Sequence, residues 1–181
     1  MRIELGRKGD YAVRAVLSVA RHHGEGRRKA RLIAAEMDLP PRYLRQILAE
    51  FVRSGVLLAT AGPDGGYTLA RPPEEVTLLE VIEQAEGPLR TDVCVLQGGP
   101  CDWGEVCPVH YVWSSAEQSL RHELDGVTLA QLAALDAEIE SGQNVPVEPH
   151  RVNSPRRGTR DQGSTPPQGS RRRPRGKDTN P

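Results

Sequence analysis

The sequence predicts a mainly α-helical chain with one small β-hairpin. Three observations carry this. Apolar residues recur at three- and four-residue spacing in several segments between residues 8 and 140. A single Gly- and Asp-rich stretch, "AGPDGG", separates two β-prone runs. The hairpin follows three helical segments and precedes three more, one of them long.

The first helix is expected from about Lys8 to His22, with Tyr11, Val13, Ala15, Val16, Val19 and Ala20 as its apolar side and "HHGEG" as its stop. "RKARLIAAEMD" reads as a second, short helix. In "PPRYLRQILAEFVRSG" the third begins at Pro41, where a missing N–H costs nothing, and closes at Gly55. Tyr43, Leu44, Ile47, Leu48, Phe51 and Val52 repeat at helical spacing. The hairpin spans "VLLATAGPDGGYTLARP". "TLLEVIEQAEG" is a further helix, with Thr77 and Glu80 placed for a capping box. A longer helix from about Pro108 carries Val109, Val112, Trp113, Ala116, Leu120 and Leu124 as a stripe. A last one follows Thr128, a candidate cap.

The formal charge is zero but unevenly spread. Residues 1–71 carry a net +6, residues 72–150 a net −13 and residues 151–181 a net +7. A basic front end suits an anionic polymer. No stretch reaches the roughly 20 apolar residues of a membrane span, and the N-terminus shows no secretory pattern. A soluble cytoplasmic protein is expected. Beyond about residue 142 the chain is rich in Pro, Gly, Ser and Arg and is expected to be disordered. Its basic run "RRRPRGK" either adds salt-dependent affinity for DNA or only solubilises the chain.

Three short helices and a hairpin are the order of a winged helix-turn-helix, whose third helix enters the major groove. Arg42, Tyr43, Arg45 and Gln46 lie near the start of that helix, where base edges are read. Arg27, Arg28, Lys29 and Arg31 can pair with phosphates. The plain alternative is a solvated basic face.

All three cysteines fall in "CVLQGGPCDWGEVCPVH", spaced C-x6-C-x5-C. Cys94, Cys101 and Cys107 lack the close C-x2–4-C pairs of structural zinc. An open Gly- and Pro-containing loop suits a larger iron–sulfur cluster better. Zinc and unligated thiols remain readings of the spacing alone. His110 follows Cys107 by three, so both can face one object. It is equally readable as a surface histidine. Cys107 with His110 is also the sole nucleophile–base candidate, and no oxyanion or substrate motif accompanies it, so an enzyme is not expected. His22, His23, His122 and His150 lack a nearby partner and read as surface residues.

The segments "RKGDYAVRAVLSVA", "RYLRQILAEFVRSGVLLATAGPDGGYTLARPPEEVTLLEVIEQAEG" and "CDWGEVCPVHYVW" resemble the Rrf-two family of bacterial regulators, over roughly residues 1–135. The resemblance implies a homodimeric repressor or related transcription factor on a palindromic double-stranded DNA operator, with the helix at about 108–124 pairing with its twin. It divides the chain into a winged helix-turn-helix at 1–75, an iron–sulfur loop with dimerisation helices at 76–141, and a basic tail at 142–181. It also implies a cluster on Cys94, Cys101 and Cys107. In IscR-like members a histidine placed like His110 completes a 2Fe–2S cluster. In NsrR-like members an aspartate placed like Asp10 reaches a 4Fe–4S cluster across the dimer, and of the two Asp10 is the expected fourth ligand. The plain alternative for Asp10 is a first-turn carboxylate favoured by the helix dipole. Two positions depart from IscR-like members: Ala61 stands where the wing carries arginine, and Arg45 where the third helix carries glutamate. A different operator is therefore expected. The alternatives are a cluster-free or zinc-stabilised DNA-binding regulator, or a zinc-stabilised interaction module.

Overall fold

The computed structural model describes residues 5–89 and 107–142, all within the first of the two units into which the chain divides, Met1–Pro146. Cys94, Cys101 and the tail lie outside the described residues, as do the expectations placed on them.

Six helices and a two-stranded antiparallel hairpin follow one another as α1 (Arg7–Arg21), α2 (Ala30–Met37), α3 (Pro41–Arg53), β1 (Leu57–Thr60), β2 (Gly66–Leu69), α4 (Leu78–Glu86), α5 (Pro108–Asp125) and α6 (Leu129–Glu140). Leu57 pairs with Leu69 and Thr60 with Gly66. Among the described residues no helix is long and apolar enough to cross a membrane.

The core lies where α1 meets everything else. Gly9, Ala12, Ala15, Val16, Ser18, Val19 and Ala20 are buried on α1, and α2, α3, β2, α4 and α6 all pack on it. Phe51, Leu44, Ile47 and Leu48 of α3 fill the space beneath it, each worth about 1.5–3 kcal/mol of burial.

Local signals terminate the elements as their chemistry dictates. Pro41 opens α3. At its end Gly55 takes a left-handed φ of 79°, while Gly55 N–H donates to Val52 and Val56 N–H to Phe51. That is a Schellman closure. Asp38, left-handed at φ 50°, ends α2 and turns the chain toward α3. Thr77 caps α4 by accepting from Glu80 N–H at 3.2 Å. The Glu80 carboxylate does not complete the expected capping box, because it pairs with Arg71 instead. Thr128 caps α6 in a full capping box with Gln131.

Helix α1 has no cap from Gly6. Its Gly9 N–H donates 2.6 Å to Glu86 Oε1, from the end of α4. A carboxylate at a helix N-terminus is favoured by the exposed N–H groups and the dipole. A Cβ at Gly9 would stand 2.5 Å from the same oxygen.

A second polar cluster sits at the other end of α1. Glu36 of α2 accepts from Ser18 Oγ at 2.6 Å and from Arg28 Nη2 at 2.8 Å. Arg21 Nη1 and His22 Nε2 each stand 3.4 Å from Glu36 Oε1. Arg21 also donates to Asp136 and Glu140 of α6. The reading of His22 as a surface residue without a partner is thereby corrected: its Nδ1 lies 2.6 Å from Glu25 and its other nitrogen faces Glu36. The Glu36 partner comes from a different helix, which sequence proximity does not reveal. The Glu140 hydrogen bond, opposed by burial and aided by the three facing carboxylates, holds the Arg21 guanidinium above its ordinary value. Burial pushes the Glu36 carboxyl up. The Ser18 and Arg28 hydrogen bonds, with the charges of Arg28 and His22, outweigh burial and hold it below the usual glutamate range.

Two tests follow from these ends of α1. Gly9→Ala displaces Glu86 and costs about 1–2 kcal/mol, read as a lower denaturation midpoint at unchanged slope; an unchanged midpoint would mean that Glu86 does not cap the helix. A carboxyl lowered on folding stabilises the native state above the unfolded glutamate's titration, and that contribution is lost as pH falls through the folded value. The wild-type melting temperature therefore drops more than that of Glu36→Gln on acidification through and below the ordinary glutamate range. Parallel thermal-melting curves across that window would exclude a net contribution from the cluster.

Candidate DNA-binding surface and cysteine site

The face of α3 opposite Leu44, Ile47, Leu48 and Phe51 carries Arg42, Arg45 and Gln46, all exposed. Of these, only Arg45 holds a local acceptor, a long 3.4 Å contact to Pro41 O. Tyr43 is half-buried. Its ring meets Tyr11 of α1 edge-on at 5.6 Å, so it serves packing as well as the surface.

The segment between α1 and α2 pairs with the hairpin. Arg28 N–H donates to Tyr67 O at 2.8 Å and Tyr67 N–H returns to Arg28 O at 2.9 Å, adding one β-bridge to β2. The approach is close enough that a Cβ on Gly66 would stand 2.7 Å from Arg28 O. Arg27 Nε donates 2.9 Å to Thr60 Oγ1 of β1. A groove lined by Lys29, Ala30, Thr60, Gly62, Pro63 and Tyr67 runs between α2 and the hairpin.

The expected phosphate-binding residues therefore differ in their surroundings. Arg31 is exposed and Lys29 half-buried. Arg28 spends its guanidinium on Glu36, so its charge is already matched within the fold. Glu36 itself escapes notice in the sequence. The available signal is a lone acid in the otherwise apolar "LIAAEM", facing two arginines and a serine from neighbouring elements.

Cys107 is the N-cap of α5, and its side chain makes no cap hydrogen bond. It is a free, half-buried thiol. His110 is exposed one turn on, and its N–H donates to Cys107 O at 3.1 Å. The thiol and the imidazole thus share the first turn of α5, where the dipole favours negative charge. The chain leading into the cysteine loop is fastened on the other side. Glu83 of α4 accepts from Leu89 N–H at 3.0 Å and pairs with Arg121 of α5, which also donates 3.2 Å to Leu89 O.

Asp10 lies in a different setting. Both its oxygens are held by Arg14, one helical turn on, through Nε at 2.9 Å and through Nη2. Arg14 also donates 3.1 Å to Met37 O and lies 5.2 Å over the Tyr11 ring. The four-residue spacing of Asp10 and Arg14 makes this pair legible in the sequence. Among the described residues no three His, Cys, Asp or Glu side chains converge as a metal site; two of the three thiols are outside those residues. Cysteine sulfur and imidazole, here without competing side-chain hydrogen bonds among the described residues, are donor types suited to iron.

Helix α5 presents the start of its apolar stripe outward, while Trp113, Leu120 and Leu124 are half-buried. Val109 is 37%, Tyr111 67% and Val112 73% exposed, and no residue of α5 is fully buried.

Comparison with known proteins is consistent with this geometry. A family model described as Rrf2, iron-dependent transcriptional regulator, matches residues 5–135. The IscR regulator of Aliivibrio salmonicida is 30% identical over 138 residues, covering 76% of this chain and 81% of that protein. IscR of Erwinia tasmaniensis is 30% identical over 130 residues, 72% and 78% of the two chains. Among solved structures, the global cysteine regulator CymR of B. subtilis superposes with a TM-score of 0.65 at 28% identity, covering 74% of this chain and 98% of its own. T. potens IscR superposes with a TM-score of 0.62 at 28% identity, covering 79% and 93%. The winged-helix front end, the α5 site and the match to residues 5–135 together establish that the chain belongs to the Rrf2 family of helix-turn-helix transcriptional regulators, which are not enzymes.

Proposed function

We propose that this chain is a cytoplasmic, iron–sulfur-dependent transcriptional repressor that acts as a homodimer on a palindromic double-stranded operator. The observation that carries the reading is the start of α5. There Cys107 and His110 share one exposed turn, directly beside the outward apolar stripe of Val109 and Val112. An unpartnered apolar stripe of this size calls for a partner, and a second copy of α5 is self-complementary to it.

In this reading Cys94, Cys101 and Cys107 hold the cluster. The Asp10–Arg14 pair supports His110 as the fourth ligand, because ligation by Asp10 would first have to break a bidentate ion pair. When bound, the cluster supplies bonds that oxidation or nitric oxide can break. The protein's part is positional. Cys107 and His110 fix the first turn of α5, and Arg121 with Glu83 fastens the entry of the loop to α4 and α5. Helix α4 reaches α1 through Glu86 and Gly9, and α1 carries α2 and α3. A change at the loop therefore has a packed route to the two recognition helices. Switching requires the two states to differ in operator affinity.

Arg42, Arg45 and Gln46 read base edges, while Lys29 and Arg31 take phosphates. Similarity to CymR, a global cysteine regulator, favours a second reading, in which the same dimer binds DNA and answers a cysteine signal rather than a cluster.

One measurement separates these, and a second tests the residues that meet DNA. The full chain purified without oxygen should be brown and contain acid-labile sulfide. Cys107→Ala should abolish the colour, and His110→Ala should lower iron retention more than Asp10→Ala. A colourless chain after reconstitution with iron and sulfide supports the cluster-free reading, and the reverse order of the two ligand variants overturns His110. On a duplex selected by the wild type, Arg31→Ala should weaken all sequences alike and reduce the salt slope by about 1. Arg45→Ala should instead relax sequence preference at one position of each half-site; equal loss on all sequences would remove it from base reading.

A further inference from the structure

We infer that Glu36 is a positioning residue for DNA binding, fixing through Arg28 the place at which the hairpin meets the duplex. The inference rests on the DNA-binding reading and adds a residue that touches no nucleic acid.

Glu36 lies on α2, ahead of the recognition helix, and turns inward rather than toward the groove. Its carboxylate gathers Ser18 and Arg21 of α1, His22 at the end of α1, and Arg28 of the connector. Of these, Arg28 is the one whose backbone is also part of the hairpin, through the reciprocal bonds to Tyr67. The side chain and the backbone of one residue thus join α2 to β2. Two strands alone form a marginal unit. What holds them against the helices is Leu57 and Leu69 in the core, the Arg27–Thr60 bond, and the Arg28 bridge. The core contacts fix the base of the hairpin, and the bridge lies nearer its tip, opposite Gly66. Removing a half-buried carboxylate that serves several partners leaves their charges unmatched. Freed of Glu36, the Arg28 guanidinium has solvent and phosphate as its remaining acceptors, and the connector loses its anchor on α2. Arg21 carries the same carboxylate on to Asp136 and Glu140, so α6 shares the frame that sets the hairpin.

The test uses the full chain and a duplex enriched by the wild type from a random-sequence pool. E36A, R28A and the double variant are compared at one salt concentration and at a temperature where melting curves show each folded. E36A should bind on the order of tenfold more weakly and lose the hydroxyl-radical protections made by the hairpin. The methylation interference at guanines read by α3 should remain. Amide exchange at Arg28 and Tyr67 should speed up, and the double variant should bind no more weakly than the weaker single one. Equal weakening of hairpin and α3 contacts, unchanged protections, or effects that multiply in the double variant would each overturn the inference. If E36A does not fold, R28M takes its place with the same two outcomes. A wild-type chain that enriches no duplex overturns the DNA-binding reading itself; a wild type that enriches one, with hairpin protections kept in E36A, overturns the role of Glu36 alone.

Discussion

Helix α1 has to be packed from more than one side at once, and its composition is what makes that possible. Gly9, Ala12, Ala15, Ser18 and Ala20 are small, and with Val16 and Val19 they are buried. Larger side chains at these places would push away α3 and β2, or α4 and α6. The elements that read DNA and those that follow the hairpin therefore share a core, with Val81, Ala85 and Leu129 in the same cluster as Phe51 and Leu48. One consequence is mechanical. A displacement of α4 or α6 cannot be absorbed at a soft boundary and must be passed to α1 or repacked.

Both ends of this helix are finished by carboxylates from elsewhere. At the start, Glu86 of α4 takes the Gly9 N–H. At the end, Glu36, Asp136 and Glu140 surround Arg21. The acidic excess of residues 72–150 thus has a structural use. Glu80, Glu83, Glu86, Asp136 and Glu140 each answer a cation or an N–H within the fold. Arg42 and Arg45 on α3 and Arg31 at the start of α2 face outward, and no ion pair within the described residues holds them.

Much of the fold was legible because it is written in local signals. Pro41, Gly55, Thr77 and Thr128 each fix an element end through chemistry within four residues, and the 3.6-residue periodicity of α1 and α3 fixes the buried faces. The exposed residues of α3 follow from the same periodicity. What stayed hidden depends on contacts between distant segments. Nothing local shows that Glu86 caps α1, that Arg28 bonds the hairpin by its backbone and Glu36 by its side chain, or that His22 meets Glu36. Glu80 illustrates the reverse failure. Its spacing from Thr77 suits a capping box, yet Arg71, nine residues earlier in the chain, competes for its carboxylate and wins, since an ion pair outweighs a neutral N–H as partner. At the cysteine site the spacing named the thiols and offered Arg14 as a partner for Asp10, while the ties of Arg14 to Met37 O and Tyr11 and the exposure of His110 needed the structure.

The difference between those two candidate ligands shows how pairing within a fold bears on function. Asp10 and His110 are both first-turn residues of amphipathic helices, and each is a competent donor. Arg14 stands four residues from Asp10 and is itself committed to Met37 O and the Tyr11 ring. Through Tyr11 and Tyr43 it touches the helix that faces DNA. Withdrawing Asp10 would thus leave a cation unmatched between α1, α2 and α3. Among the described residues His110 has no such ties: it is exposed, one turn from Cys107, on a helix whose neighbouring residues Val109 and Val112 are also uncovered. Ligation there disturbs no existing pair. It also places the bound group beside the apolar stripe rather than beside the recognition helix. In the proposed reading, a signal at that group acts first on how α5 meets its twin and only afterwards, through α4 and α1, on the helix proposed to read the operator.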